Sequence, residues 1–94
     1  MNADDRQRAK RRDVALWREL SYAYGDRVAY ALTYELLVET DDERRNATEA
    51  VIRGTIGGPC AQTFLRRAVA MLGRSGRSRI RKTLGPDYFP PEAG

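Results

Sequence analysis

Residues 26–39 read DRVAYALTYELLVE, and on a helix these side chains are apolar nearly all round. A helix without a polar face belongs at the centre of a bundle, or between a bundle and a second copy of the chain. A strand over residues 34–40 is the alternative, since Val38 and Thr40 favour strands, but the length and alanine content of the segment favour a helix. Glu35 should meet an arginine or reach the rim, because a buried, unpaired carboxylate is costly.

An earlier helix is predicted over residues 4–24. Its apolar residues recur at helical spacing from Leu16 to Tyr24. The stretch before Leu16 is almost wholly polar, so we expect the first turns to project into solvent or to contact a partner. Gly25 should end this helix, because glycine adopts a left-handed cap conformation without strain. Asp26 would then serve as the N-cap of the next helix.

On the other side of residues 26–39, Thr40 and Glu43 match a capping box, which predicts a third helix running to about residue 53 or 56. The run Gly57-Gly58-Pro59 then breaks the chain, with Gly58 as cap and Pro59 at the first position of a fourth helix over residues 59–72. The inner positions of the third helix are expected to be small: Ala47, Ala50, Val51 and Gly54.

A short fifth helix from about Arg77 should dock through Ile80 and Leu84, which lie one turn apart. The last segment, residues 86–94, contains three prolines and cannot form a regular helix. Tyr88 and Phe89 within it either pack against the domain or serve as a short linear motif, and packing is the preferred interpretation.

Together these elements predict an all-α fold, a compact bundle of four to five short helices with a basic C-terminal segment. The length fits one domain. We place a single helical domain at residues 1–85, with its basic segment at 66–82, and an irregular tail at 86–94.

The composition argues against most kinds of catalytic and metal site. The chain has no histidine, which removes the commonest general base and most zinc sites. Its one cysteine, Cys60, lies where a helix dipole would favour the thiolate, but without a base a structural role is preferred. We therefore expect no catalytic residue, no metal, no cofactor and no enzymatic activity. The lone cysteine, the lack of a signal peptide and the lack of a long apolar run predict a cytoplasmic protein with no membrane partner.

The charges are distributed unevenly along the chain. Residues 1–49 hold nine cations and eleven acids, whereas residues 50–86 hold eight cations and no acid. Such asymmetry indicates nucleic acid or another anionic partner. Nearly all the cations are arginines, which suit bidentate contact with phosphate. An arginine-rich and alanine-rich composition is also typical of GC-rich genomes, and in composition the chain is similar to small accessory proteins of phages and plasmids of GC-rich bacteria.

The candidate nucleic-acid-binding residues are Arg66, Arg67, Arg74, Arg77, Arg79, Arg81 and Lys82. These cations would attract phosphate from a distance, and a solvated face that only aids solubility is the alternative. Residues 66–82 contain no aromatic side chain for stacking on single-stranded bases. Contact with the backbone of duplex DNA, or docking on an acidic protein surface, therefore fits this segment better.

A helix-turn-helix over residues 47–67, turning at Gly54, is a further candidate. Its expected apolar anchors fall on Thr55, Cys60 and Thr63. A plain helical hairpin explains the same residues and is preferred.

Aromatic side chains are concentrated between Trp17 and Tyr34. Core packing is the preferred interpretation, and a dimer or partner surface is the alternative, since tyrosine and tryptophan are common at interfaces. The candidate protein-interface residues are Trp17, Tyr30, Tyr34, Tyr88 and Phe89.

Two functions follow as hypotheses. The first is a non-enzymatic nucleic-acid-binding accessory or regulatory protein that contacts phosphates through the basic face; it predicts loss of binding when Arg77, Arg79 and Arg81 become alanine. The second is a protein-binding module or inhibitor of a partner protein, acting through residues 26–39 or the tail. A homodimer formed through residues 26–39 is compatible with both.

Overall fold

The computed structural model describes residues 2–90, and these residues form helices and no strands. The helices are α1 (Ala3–Arg12), α2 (Val14–Tyr24), α3 (Asp26–Val38), α4 (Asp42–Thr55), α5 (Ala61–Val69) and α6 (Arg74–Leu84). The predicted all-α class is confirmed. The predicted count of four to five is wrong, since the described residues contain six helices.

The additional helix arises because the first predicted helix is broken at Asp13. This residue leaves the helical conformation (φ −154°, ψ 89°), and its carboxylate accepts a hydrogen bond of 3.0 Å from the Leu16 amide. It thereby ends α1 and caps α2. Asp13 also forms an ion pair with Arg53 of α4, so the break is fixed in the tertiary structure.

The break allows α1 to pack against α3. Ala9 is fully buried in that contact, and Arg12 donates a 3.0 Å hydrogen bond to Glu49 of α4. The first turns were expected to project into solvent or to contact a partner; residues 6–8 are exposed, but α1 packs along α3 and does not extend from the domain. A largely polar helix is held here by one small apolar contact and by ion pairs, a pattern that hydrophobic periodicity does not reveal.

The central helix of the fold is α3, as predicted. It packs against α1, α2, α4 and α6. Thr33 of this helix is buried too. Its hydroxyl donates to the carbonyl oxygen of Ala29 at 2.7 Å, so the buried hydroxyl is paired. The buried apolar residues of this helix are Val28, Ala29, Ala31, Leu32 and Leu36.

The start and inner face of α4 differ from the prediction. Asp41, not Thr40, is the N-cap, and its carboxylate accepts the Arg44 amide at 3.1 Å. The buried positions are Thr48 and Ile52. Of the small residues predicted to face inward, Ala50 and Gly54 are exposed, and Ala47 and Val51 are half-buried. Choosing the inner positions of α4 by small side-chain size gave the wrong face, because the larger Ile52 is the residue that packs into the core.

The next helix, α5, is shorter than predicted, because Gly57, Gly58 and Pro59 form a turn and Cys60 is the N-cap. Gly57 has φ +83°, a conformation that favours glycine. The buried side chains of α5 are those of Phe64, Leu65, Ala68 and Val69. The chain leaves the helix after Val69 and reaches Gly73, the N-cap of α6.

The last helix, α6, begins three residues before the predicted Arg77 and docks through Ile80 and Leu84, as predicted. A turn follows, in which the amides of Tyr88 and Phe89 both donate to the Gly85 carbonyl oxygen. Both rings pack against the core, which is the preferred interpretation of the tail. The rest of the predicted tail, residues 91–94, lies outside the described residues. Within residues 2–90, no helix is long and apolar enough to cross a bilayer.

Candidate nucleic-acid interface

The cations of α6 are divided between two flanks of the helix. Gly76, Ile80 and Leu84 point inward. Because successive residues are about 100° apart, Arg74, Arg77 and Arg81 share one flank, one turn from each other, and Arg79 lies on the opposite flank. We call the three residues Arg74, Arg77 and Arg81 the basic flank, and all three are exposed.

Arg79 belongs to the internal structure of the domain. Its Nε donates to Glu35 Oε2 at 2.8 Å and its Nη2 donates to Glu35 Oε1 at 2.9 Å. The Glu35 side chain is only 5% exposed, and hydrogen bonding to it raises the pKa of Arg79 above its ordinary value. The prediction that Glu35 meets an arginine is confirmed. The prediction that Arg79 binds phosphate needs correction, because its guanidinium already holds this buried carboxylate.

Two cations of α5 lie on its exposed face, as predicted: Arg66 and Arg67. Arg66 and Arg81 line one groove of about 150 Å³, together with Gln62, Tyr88, Phe89 and Pro90. This groove joins α5, the basic flank and the C-terminal turn into one surface. Arg67 is exposed but does not line this groove.

Lys82 lies toward the other flank. It lines a cavity of about 280 Å³ beside the Glu35–Arg79 pair, together with Asp5 and Tyr34. The structure therefore does not bring all seven predicted cations onto one face. Arg66 and the basic flank form a continuous surface, whereas Lys82 and Arg79 surround the cavity next to α1 and α3.

No carboxylate within residues 2–90 pairs with Arg66, Arg67, Lys82 or the basic flank. The cations that form ion pairs within residues 2–90 are Arg8, Arg12, Arg44, Arg45, Arg53 and Arg79. None of the acids in these ion pairs contacts the basic flank, so no described carboxylate neutralises its positive field.

One cation near this surface was missed by the sequence prediction. The guanidinium of Arg44 lies beside Gly73, so close that a Cβ at Gly73 would be 3.0 Å from Arg44 Nη1. Arg44 lies in the half of the chain where acids outnumber cations, and it also approaches Glu39 at 3.8 Å. Only the packing of α4 near the start of α6 brings it here.

Of the five predicted protein-interface residues, one is buried and the other four are half-buried. Trp17 is 8% exposed, its ring lies 5.0 Å from that of Tyr30, and Lys10 Nζ is 4.1 Å from the ring centroid on a face of the indole. Trp17 is therefore not available as a surface anchor, which corrects that prediction. Tyr30 and Tyr34 are half-buried. Tyr88 and Phe89 are partly buried, with Arg27 and Arg81 respectively over their rings.

Tyr22 is the large aromatic residue that the fold leaves outside, at 95% exposure. It lines a groove of about 630 Å³ with Tyr24, Pro59, Cys60 and Tyr88. Tyr22 was not among the predicted interface residues. Its position off the apolar stripe of residues 16–24 is the signal that it faces outward.

Cys60 is exposed and lies in the same groove as Tyr22. The hydroxyl of Thr63, 3.4 Å from the sulfur, and the backbone amides of α5 lower the pKa of the Cys60 thiol. The thiolate fraction at neutral pH is therefore larger than for an ordinary cysteine. Within residues 2–90, no three side chains that could hold a metal ion lie together.

The helix-turn-helix interpretation is not supported by burial. Of its expected anchors, Cys60 is exposed, and Thr55 and Thr63 are only half-buried. The connection from α4 to α5 spans residues 56–60 and is longer than a tight turn. The two helices pack together as a plain hairpin.

No protein-family model matches the chain. No curated protein is detectably similar to it in sequence, and no solved structure matches it.

Proposed function

We propose that this protein is a non-enzymatic nucleic-acid-binding accessory or regulatory protein that contacts phosphates through the basic flank and Arg66. The observation that carries this proposal is the arrangement of Arg74, Arg77 and Arg81. They are exposed, one turn apart and without a carboxylate partner among the described residues. Like charges at this spacing destabilise a helix, so an anionic ligand is the natural complement of the flank.

The dimensions of the flank fit a nucleic acid strand. Seven residues separate Arg74 from Arg81, which is about 10 Å of helix axis at the usual rise. Phosphates of one strand recur about every 3.4 Å along a duplex axis, so the flank spans about three of them. Arginine can meet each phosphate with two parallel hydrogen bonds. Arg66, across the groove from Arg81, extends the same surface.

The competing proposal, a protein-binding module, has lost part of its support. Trp17, its largest expected anchor, is buried, and Tyr88 and Phe89 pack on the domain. An acidic protein surface remains the alternative ligand of the basic flank, and the absence of nucleic acid binding would favour it. Dimerisation through α3 stays a prediction, which sedimentation velocity at several concentrations checks.

The test is nucleic acid affinity measured at about 50 mM and about 200 mM salt. The variant is Arg74→Ala/Arg77→Ala/Arg81→Ala, and Arg79 is left intact because its loss would disturb folding. Each phosphate contact contributes about 0.9 to the slope of log affinity against log salt. Losing three contacts should lower the slope by about 2.7 and the affinity at about 0.1 M salt by roughly 500-fold.

A matched control distinguishes an effect of the basic flank itself from an effect of lowering the net charge of the protein. Arg6→Ala/Arg11→Ala/Arg18→Ala removes the same charge from exposed positions of α1 and α2. It should keep most of the affinity. Equal affinities of the basic-flank variant and the wild type, or equal losses in the two triple variants, would overturn the proposal.

A further inference from the structure

An almost fully exposed aromatic ring marks one end of the surface described above. Tyr22 is 95% exposed at the end of α2, so it contributes almost nothing to the core. It overlooks the groove of about 630 Å³ that Tyr88 also lines. That volume falls within the range of about 300–1,000 Å³ that is usual for small-ligand sites, so it accommodates a ligand the size of one nucleotide.

The floor of this groove is held by ring stacking and hydrogen bonds. The ring of Tyr24 is stacked on that of Phe64, with centroids 4.4 Å apart and planes 17° from parallel. The Tyr24 hydroxyl donates to the Pro59 carbonyl oxygen at 2.9 Å and accepts the Gly57 amide at 3.1 Å. These bonds hold the α4–α5 turn against α2. A ligand entering the groove would therefore have little ordering to impose on the protein.

Arginines continue directly from the aromatic groove. Tyr88 lines both this groove and the groove of Arg66 and Arg81. The Arg81 guanidinium carbon lies 5.4 Å from the Phe89 ring centroid, and that of Arg27 lies 5.8 Å from the Tyr88 ring centroid. Arg27 also donates to the carbonyl oxygens of Thr83 and Leu84, which fixes the end of α6 next to the turn. Aromatic rings and cations thus alternate along one surface.

From this alternation we infer that the surface binds an unpaired nucleic acid strand, with a base against Tyr22 and Tyr88 and its flanking phosphates on Arg66 and Arg81. The inference rests on the proposed function and specifies its ligand as single-stranded nucleic acid. Proteins that bind single strands combine a cationic track with aromatic rings on which bases stack. Bases inside a duplex do not expose their faces for such stacking. A peptide whose recognition rests on acidic side chains alone would contact the arginines and leave the Tyr22 ring uncovered, whereas a base stacks on it.

The aromatic part of this surface comes from outside the basic segment of the sequence. Residues 66–82 contain no aromatic side chain, so the basic segment by itself favours a duplex. Folding places Tyr22 of α2 and Tyr88 of the C-terminal turn in one groove. The chemistry needed for stacking is therefore assembled from two distant parts of the chain.

The first test compares an oligothymidylate of about 12 nucleotides with a duplex of equal charge, by fluorescence anisotropy. Tyr22→Ala should weaken oligothymidylate binding by roughly 5- to 100-fold and leave duplex affinity unchanged. Tyr22→Phe, which keeps the ring, should bind as the wild type does. Because Tyr22 is exposed, these variants should fold normally. Val38→Ala on α3, another exposed apolar position, controls for non-specific effects.

The second test uses Cys60, the only cysteine of the chain, as a reporter inside the groove. Saturating oligothymidylate should slow alkylation of Cys60 by iodoacetamide at least several-fold, whereas the duplex should not. Unchanged alkylation in the presence of bound oligothymidylate would overturn the inference. Equal protection by polyglutamate would also overturn it, since the groove would then respond to charge alone.

The two proposals fail in different ways. If Tyr22→Ala binds oligothymidylate as tightly as the wild type, but the basic-flank variant loses affinity, the single-strand inference falls and the proposed function stands. If substitution of the basic flank changes the affinity for neither oligothymidylate nor the duplex, both proposals are wrong.

Discussion

On one flank of α6, Arg79 donates two hydrogen bonds to buried Glu35, whereas on the other flank Arg74, Arg77 and Arg81 meet no carboxylate among residues 2–90. The residue type is the same, and Arg79 lies only two residues from both Arg77 and Arg81. The difference comes entirely from the neighbouring element, since α3 faces one flank and the other is exposed to solvent.

This contrast separates a structural role from a binding role within a single basic segment. A cation that compensates a buried carboxylate stabilises the fold, and removing it leaves an unpaired charge. A cation without a carboxylate partner adds little to the stability of the fold and contributes potential for an anionic ligand. Substitutions on the two flanks should therefore change the free energy of unfolding in opposite directions.

The largest effect is expected for Arg79→Ala. It should lower the free energy of unfolding by about 2–3 kcal/mol, because Glu35 stays buried without its partner. The half-exposed position of Arg79 places the loss below that of a fully buried pair. Urea unfolding at neutral pH measures it.

Two further variants control this measurement. Arg77→Ala, on the opposite flank, should not lower the free energy of unfolding, because it removes like-charge repulsion and no carboxylate partner. Adding Glu35→Gln to Arg79→Ala should recover about 1 kcal/mol, because a neutral amide is cheaper to leave unpaired than a carboxylate. Equal losses for Arg79→Ala and Arg77→Ala would show that the two flanks do not differ.

A smaller effect is expected at Gly76, which lets α6 approach the Glu35 carboxylate. A Cβ at this position would lie 3.0 Å from Glu35 Oε1 and 3.2 Å from Leu72 Cβ. Gly76→Ala should therefore lower the free energy of unfolding by about 1–2 kcal/mol, although alanine is the better helix former. Thermal or urea unfolding checks this.

The matched control is Gly54→Ala in α4, where an added Cβ meets nothing within 4 Å. That change should raise the free energy of unfolding by up to about 1 kcal/mol through helix propensity alone. The two glycine substitutions should thus have opposite signs. Stabilisation at both positions would mean that the Glu35 side of α6 is not tightly packed.

Local periodicity in the sequence was sufficient for the parts of the fold that depend on one segment at a time. The central position of α3 and the docking of α6 through Ile80 and Leu84 were predicted because each is an apolar pattern within one helix. The break at Asp13 was missed, since its carboxylate satisfies a local amide and a distant arginine together. Residue-level patterns do not show such a coincidence.

The candidate site was predicted less completely, because it depends on contacts between distant residues. Arg79 and Glu35 are 44 positions apart, so the sequence did not show which arginine would form the ion pair with Glu35. Tyr22 and Tyr88 are even farther apart in the chain and meet in one groove. The cations were found from charge alone, but their division into two flanks and the addition of aromatic rings required the tertiary structure.

The smallest effect is expected for Arg77→Gln. This variant tests whether loss of a cation from the basic flank raises the free energy of unfolding, whereas loss of Arg79 lowers it. Arg77 has Arg74 three residues before it and Arg81 four residues after it, and each like-charge pair destabilises a helix by about 0.2–0.5 kcal/mol. The variant should therefore be about 0.5 kcal/mol more stable than the wild type at low salt. In about 1 M salt, where charges are screened over about 3 Å, the gain should vanish.

Arg18→Gln in α2 is the control for this last comparison, since no charged residue lies three or four positions from Arg18. Its unfolding free energy should not change measurably with the substitution at either salt concentration. A stabilisation of Arg77→Gln that persists in high salt would come from helix propensity and not from repulsion. A destabilisation would mean that Arg77 makes a favourable contact within the fold. Only a gain that salt removes agrees with a flank whose charges repel one another until an anionic ligand neutralises them.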